Sequence, residues 1–175
     1  HNALYHTAVV PYGSETITAD IAHCLSTTVP EAERLKVAFG QVTLKQIDPT
    51  KDIDIVSINE GNKKIKQRFL CQIIEARISE ILTLLLKKIP FELNSTYQSV
   101  LVGGASQLTG LDTVIERRLN GPIRKASYHN HSLTDLSTLG LVHYASELGA
   151  LTEKPSLKKA NIQYLLAKIK KTFTR

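Results

Sequence analysis

The segment from Ser99 to Leu108, which reads SVLVGGASQL, constrains the fold of this chain more than any other. Its short, partly β-branched run Ser99–Val102 is bounded by loop residues, which predicts a buried strand. Gly103 and Gly104 then permit a tight turn and let a flat ligand lie against the backbone, because neither residue has a Cβ. A strand, a glycine turn and a helix form the arrangement in which α/β proteins bind nucleotides, although a plain tight turn is the commoner origin of a Gly-Gly pair.

A second pattern lies in the helix predicted over Glu31–Phe39. Glu33 and Lys36 are three residues apart, so both side chains project from the same side of that helix. A carboxylate beside an ammonium group can bind the two hydroxyls of a ribose, because the carboxylate accepts and the ammonium donates. The alternative is a surface ion pair, which is very common and contributes little to stability.

In this order the motifs resemble the FtsA family of bacterial cell-division proteins, within the actin-like ATPase superfamily. The resemblance extends over nearly the whole chain. Its segments are Val9–Gly13, Ile17–Ala22, Ala32–Gly40, Ile73–Ile81, Leu101–Leu108 and Gly140–Tyr144. Three positions depart from the family pattern: Ser14 replaces a glycine, Val102 a common threonine and Thr109 a common proline.

The resemblance implies an α/β fold: an actin-like (ribonuclease H-like) ATPase lobe with a mixed sheet flanked by helices, followed by a C-terminal amphipathic helix. Residues 1–150 would form the second half of the ATPase lobe, including the smaller nucleotide-binding subdomain. Residues 151–160 would be a linker, and residues 161–175 a membrane-targeting helix. We expect both phosphate loops of the fold to lie before His1, so that this chain is the C-terminal part of such a protein.

The resemblance also implies nucleotide-binding residues. Glu33 and Lys36 would contact the ribose, and the backbone at Gly103, Gly104 and Ala105 would lie at the adenine and its sugar. The implied cofactors are ATP and Mg, the latter held by residues outside this chain. We predict no catalytic and no metal-ligating residue here, so the chain belongs at most to a slow ATPase.

The basic residues are concentrated at the C-terminus. The chain has a net charge of +6, yet seven of its 22 Lys and Arg residues and none of its 16 acidic residues lie between 154 and 175. The remainder therefore has a net charge of −1. A nucleic-acid-binding domain more often spreads its charge over a folded face with interleaved aromatic residues, so we predict no nucleic-acid partner.

The segment 161–173 has the pattern of a helix that lies in a membrane interface. Lys168 and Lys170 flank its apolar face, Lys171 lies opposite, and such side chains can reach the headgroups of an anionic membrane surface. The apolar face comprises Ile162, Leu165, Leu166, Ile169 and Phe173. The alternative, a terminal helix docked on the protein's own core, does not explain seven basic residues without one acid.

The resemblance implies a protein that binds ATP, self-associates into filaments and tethers FtsZ filaments to the cytoplasmic face of the inner membrane at the division septum, with other divisome proteins. It places the FtsZ C-terminal tail near the long helix, where we predict a contact at Arg77; pairing of Arg77 with Glu75 or Glu80 is equally consistent. Two alternatives are a pilus-assembly actin-like protein and a membrane adaptor with a non-functional nucleotide site. The basic amphipathic helix favours FtsA over the pilus-assembly protein.

Periodicity and breakers predict the remaining elements. The predicted strands are Leu4–Val10, a short one within Gln41–Asp54, Ile53–Ile58 and Pro122–Ala126. The predicted helices are Thr16–Leu25, Asn62–Ile89, Leu111–Leu119 and one within Leu133–Leu148. Cys24 and Cys71 are interpreted as reduced, buried thiols, and His143 and Tyr144 as packing residues of the last helix.

Overall fold

A computed structural model describes residues 6–90, 99–126 and 134–147. The chain falls into two units, residues 1–136 and residues 137–175. The elements of the first unit are, in order, α1 (Ser14–Leu25), α2 (Val29–Phe39), β1 (Asp52–Ser57), β2 (Gly61–Lys66), α3 (Gln67–Leu86), β3 (Ser99–Leu101), a 3₁₀ turn (Gly104–Gln107), α4 (Leu111–Leu119) and β4 (Ile123–Lys125). Helix α5 (Leu136–Glu147) belongs almost entirely to the second unit.

The core of the first unit is built from one face each of α1, α2, α3 and β1. Side chains at i, i+4 and i+8 of α1 face inward, and α3 has the same helical spacing, so each helix buries one apolar stripe. The core side chains of these four elements are Ile17, Ile21, Leu25, Ala32, Leu35, Ile53, Ile55, Leu70, Ile74, Ile78 and Leu82, and the core is completed by Val42, Leu108 and two residues of α4, Leu111 and Ile115. This packing fixes the rotation of α1 and α2, and thereby the side chains that the two helices present to each other.

Strands β1 and β2 form an antiparallel hairpin in which Ile53 lies opposite Ile65. The strand predicted at Ile53–Ile58 is confirmed, because its inward residues are buried and Asp52, Asp54 and Val56 are exposed. The helix predicted from Asn62 was wrong at its start. Gly61, at φ +70°, reverses the chain, and the next five residues pair with β1 before α3 begins at Gln67.

The free edge of β1 is covered by the loop between α1 and α2 and by the start of α2. The Thr27 hydroxyl donates to the Val56 carbonyl at 2.5 Å, and the Val56 amide donates to Glu31 Oε1 at 3.3 Å. The Ile58 amide donates to the Ser26 carbonyl at 2.7 Å. These bonds attach the hairpin to α2 and satisfy backbone groups that an edge strand would leave unpaired.

Strands β3 and β4 are parallel, and α4 connects them. The predicted strand is present, but the prediction that it is buried was wrong: Val100 is 44% exposed and Val102 is 52% exposed. Among the described residues β3 pairs with β4 alone, so one side of the strand has no neighbour to cover it. The Val42 amide donates to the Thr109 carbonyl at 2.9 Å, which ties the segment after α2 to the segment before α4.

Three further predictions need correction. Residues 6–10 form no strand, since they pair with no other described strand and Val9 is exposed. The short strand predicted after Gln41 is only an isolated bridge to Thr109, because the chain turns at Asp48, whose carboxylate accepts from a backbone amide two residues on. Cys24 is exposed, whereas Cys71 is buried as predicted.

Helix α5 spans Leu136–Glu147, within the range predicted from the sequence. The prediction that His143 and Tyr144 are packing residues was wrong, because both side chains are exposed. His143 Nε2 lies 3.3 Å from Glu147 Oε1, one turn later in the helix.

Candidate functional site

A cleft of about 350 Å³ lies between α2 and the 3₁₀ turn that follows β3. It brings together four of the five residues that we predicted to bind nucleotide. Its lining residues are Ser14, Glu33, Lys36, Val37, Gly40, Gly104, Ala105, Gln107, Leu108, Thr109 and Thr134. Gly103, the fifth predicted residue, is not among them; it precedes the 3₁₀ turn. Two segments that are about 70 residues apart in the sequence therefore form the two walls of one site.

The rotation of α2 places Glu33 and Lys36 at this cleft. The helix begins after Thr28, whose hydroxyl accepts from a backbone amide of the first turn at 3.4 Å, and Pro30 lies in that turn. Ala32 and Leu35 are fully buried in the core. With those two residues fixed inward, the intervening side of the helix faces α1.

Lys36 is at the centre of a polar cluster between α1 and α2. Its Nζ lies 2.7 Å from Glu33 Oε2, 2.8 Å from Thr18 Oγ1, 2.6 Å from Ser14 Oγ and 3.2 Å from the Ser14 carbonyl oxygen. The Lys36 side chain is only 5% exposed, whereas that of Glu33 is 50% exposed. The alternative of an ordinary surface ion pair therefore does not describe Lys36, whose ammonium is surrounded by protein oxygens.

Sequence reasoning missed Thr18 and the role of Ser14. The Thr18 hydroxyl donates to Glu33 Oε2 at 2.5 Å while it accepts from Lys36. Ser14 and Thr18 are four residues apart in α1 and so lie on the same side of that helix. This spacing was available from the sequence, but nothing in the sequence indicated that this side would face Lys36.

The cluster changes the pKa of the Glu33 carboxyl. Burial raises this pKa, but hydrogen bonds from Lys36 and Thr18 and the charge of Lys36 lower it by more, so that it lies below the ordinary value of 4.5. The carboxyl is therefore ionised at neutral pH. Its Oε2 receives both hydrogen bonds, and its Oε1 has no hydrogen-bond partner among the described residues. An ionised oxygen at the cleft can accept a hydrogen bond from a ligand hydroxyl.

The opposite wall of the cleft is set by Gly103 and the buried Ser106. Gly103 has φ +89°, a conformation that favours glycine. The Ser106 hydroxyl donates to the Gly103 carbonyl at 2.6 Å, which fixes the 3₁₀ turn. Gly40 closes the cleft below α2; a Cβ there would lie 2.3 Å from the Lys36 carbonyl oxygen and 2.9 Å from Ile74 Cδ1, so no larger residue fits without movement.

Arg77 joins α3 to α1. Its Nε and Nη2 donate to the two carboxylate oxygens of Asp20, the latter at 2.8 Å, and its Nη1 donates to Glu80 at 2.6 Å. The hydrogen bond to Asp20 raises the pKa of the guanidinium. The pairing with Glu80 that we considered is present, and Asp20 was not anticipated. Two carboxylates already neutralise this cation, so the geometry does not favour the contact with an acidic tail that we predicted at Arg77, which stays a prediction.

The predicted membrane-binding residues from Ile162 to Phe173 lie outside the described residues. Among the helices within residues 6–90, 99–126 and 134–147, none has both the length and the apolar character needed to cross a bilayer.

Solved structures with a similar fold are actin-like. A crystal structure of MreB5 of Spiroplasma citri bound to ADP superposes with a TM-score of 0.57 at 16% identity, and covers 80% of this chain and 46% of that protein. A structure of MreB5 of the same organism bound to AMPPNP gives a TM-score of 0.61 at 15% identity, with 79% and 45% covered. These matches confirm the predicted actin-like α/β fold.

Comparison with known sequences shows the family. The family model of the cell division protein FtsA matches residues 1–149. FtsA of Agrobacterium fabrum is 36% identical over 128 residues, and FtsA of Escherichia coli K12 is 28% identical over 165 residues. These alignments cover 69% and 83% of this chain, but only 29% and 39% of the two relatives, so the chain spans less than half the length of either. This chain belongs to the FtsA family of cell-division proteins.

Proposed function

We propose that this chain supplies the adenosine-binding wall of an ATP-binding FtsA protein. The observation that carries the proposal is the cleft in which Glu33 and Lys36 of α2 face Gly104 and Ala105 of the 3₁₀ turn. An ionised carboxylate at one wall suits a ribose hydroxyl, and a turn with a glycine and an alanine leaves room for a flat base. The ADP and AMPPNP in the two MreB5 structures support the same class of ligand. Mg would be held by residues outside this chain.

Titration of the 175-residue chain with adenosine, followed by backbone amide NMR shifts, tests this proposal. Shift changes are expected at Glu33, Gly104 and Ala105, with millimolar affinity because adenosine has no phosphates. Ala105→Leu fills the cleft and should abolish the changes. The matched control is Ala38→Leu on the exposed side of α2, which should leave them intact. An absence of shifts, or shifts that survive Ala105→Leu, would refute nucleoside binding at this cleft.

We further propose that the protein self-associates and attaches FtsZ filaments to the cytoplasmic face of the inner membrane at the septum. Family membership supports this role, as does the concentration of seven basic residues and no acid between 154 and 175. A helix with apolar residues on one face and lysines beside them binds anionic interfaces through burial and charge together.

Co-sedimentation with anionic liposomes tests the membrane attachment directly. The full chain should bind, and both high salt and removal of residues 161–175 should weaken binding, because part of the attraction is electrostatic. A chain that does not bind, or that binds equally well without those residues, would contradict the proposed anchor.

A further inference from the structure

A second cleft, of about 540 Å³, lies between the loop that follows α2 and helix α4. Its charged lining residues are Lys45 of the loop, Asp112 and Arg117 of α4, and Lys125 of β4, and we call it the basic groove. All of its other lining residues are threonine, glutamine or glycine. The groove therefore offers hydrogen bonds and charge to a ligand, but no large apolar side chain against which an apolar ligand could be buried.

The basic groove has positive charge that no carboxylate of the described residues neutralises. Its single acid, Asp112, lies with Oδ2 3.2 Å from Lys125 Nζ, so these two charges offset each other. Arg117 donates from Nε to the Thr113 carbonyl at 3.4 Å, which leaves both of its terminal nitrogens without a partner in the described part of the chain. Lys45 is likewise without an ion-pair partner among those residues. Arg117 can thus bind an anionic group with two parallel hydrogen bonds.

The positive charge is spread along the basic groove. Arg117 lies five residues beyond Asp112 in α4, which is about 7.5 Å along the helix axis, and Lys45 belongs to the loop that forms the other wall. Alternate side chains of an extended peptide are about 7 Å apart, so two of its carboxylates match this spread better than one phosphate group does. Gln46 and Gln107 have side-chain amides that can pair with a peptide backbone. A nucleic acid also carries spaced anions, but the described lining has no aromatic side chain on which bases could stack.

We propose that the basic groove binds an extended acidic peptide, with carboxylates of the peptide at Arg117 and Lys45. The segment 154–175 of this chain has no acidic residue, so it does not supply that peptide, and the occupant is a partner rich in Asp or Glu. Gln107 and Thr109 line both this groove and the nucleotide cleft, whereas Arg117 and Lys45 line only the groove. The proposal therefore does not depend on the proposed adenosine binding.

Titration of the 175-residue chain with a capped hexaglutamate peptide, followed by backbone amide NMR shifts, tests this proposal. Shift changes are expected at Thr43, Asp112 and Thr113, and added NaCl should weaken the affinity measured there because the attraction is electrostatic. Hexaglutamate that binds the basic segment 154–175 shifts the signals of that segment, so the two sites are distinguished by which signals move.

Two variants and a matched control assign the binding to the groove. Arg117→Gln and Lys45→Gln alter exposed side chains, so both should fold, and each should lower the affinity measured at Asp112 about fivefold, the upper range for one exposed ion pair. The control is Arg118→Gln, because Arg118 donates to Ser79 of α3 and does not line the groove. This variant should bind hexaglutamate as the wild type does.

Comparison ligands decide the chemistry of the occupant. Hexaglutamine should produce no shift changes in the groove, and inorganic triphosphate and hexathymidylate should each bind there more weakly than hexaglutamate. Equal or tighter binding of triphosphate or of the oligonucleotide would overturn the assignment to an acidic peptide. The site itself would be overturned if hexaglutamate moved no groove signal, or if Arg117→Gln and Lys45→Gln bound it as tightly as Arg118→Gln.

Discussion

Two cationic side chains bind helix α1, one from α2 and one from α3. The two sites differ in the protein groups that take the place of water around the cation. Near its first turn, Lys36 of α2 binds one carboxylate, two hydroxyls and a carbonyl, and is almost fully buried. Farther along α1, Arg77 of α3 binds the carboxylates of Asp20 and Glu80 and keeps a quarter of its side chain exposed. The buried cation has the larger number of neutral partners, and the exposed one has the larger number of charges.

This difference shows that the number of charges does not decide how much such a cluster contributes to the free energy of unfolding. Water can solvate Asp20 and Glu80 when Arg77 is removed, since all three side chains are partly exposed. Thr18 is buried, so loss of Lys36 leaves a hydroxyl without its donor in a place that water does not reach. We therefore expect the Lys36 cluster to contribute more to stability, although it contains a single ion pair.

The largest expected effect is that of Lys36→Met. Methionine fills a similar volume but donates no hydrogen bond, so Glu33, Thr18 and Ser14 each lose a partner. We expect the free energy of unfolding to fall by about 2 kcal/mol, which is less than for a fully buried ion pair because Glu33 is half exposed. Urea denaturation of the full chain measures it, with Lys64→Met as the control. A loss no greater than that of the control would mean that the cluster adds nothing to stability.

This cluster shows which contacts can be predicted from the sequence and which cannot. The spacing of Glu33 and Lys36 was enough to place them together, because helix geometry is local. Their partners Ser14 and Thr18 lie on another helix, and the contact depends on how α1 and α2 rotate around a shared core. The Gly-Gly turn was recognised for a similar local reason, whereas its position opposite α2 follows from the bridge between Gln41 and Thr109.

The secondary structure likewise includes elements that local signals determine and elements that depend on contacts distant in the sequence. Helix α4 has the predicted bounds, since Asn120 in the left-handed conformation ends it locally. Residues 61–66 were assigned to a helix because the pattern that follows is strongly helical, but pairing with β1 determines their structure. The exposure of Val100 could not be predicted either: an apolar run indicates burial only when the neighbouring strands that cover it are present.

A smaller effect is expected from Arg77→Met. This variant removes the link between α1 and α3 but leaves Asp20 and Glu80 accessible to water, so the free energy of unfolding should fall by about 1 kcal/mol. Added salt should weaken the wild-type link, so the difference between wild type and Arg77→Met should shrink at 1 M NaCl. Equal losses for Arg77→Met and Lys36→Met, in the same urea series, would contradict the distinction that we draw between the two clusters.

The smallest effect is a difference in acid stability at the Lys36 cluster. The pKa of Glu33 in the folded chain is lowered below 4.5, so its ionised form stabilises the fold above that pH, and this contribution is lost as the pH falls through the lowered pKa. In Lys36→Met and in Thr18→Val the folded pKa should lie closer to the unfolded one, which flattens this part of the pH dependence. The measurement is the free energy of unfolding from pH 6 to pH 3 for the wild type and both variants.

Other carboxyls with lowered pKa values, Glu31, Asp48 and Asp112, titrate in all three proteins and cancel in the comparison. Parallel curves would show that the hydrogen bonds from Lys36 and Thr18 to the ionised Glu33 carboxylate add nothing to the free energy of unfolding.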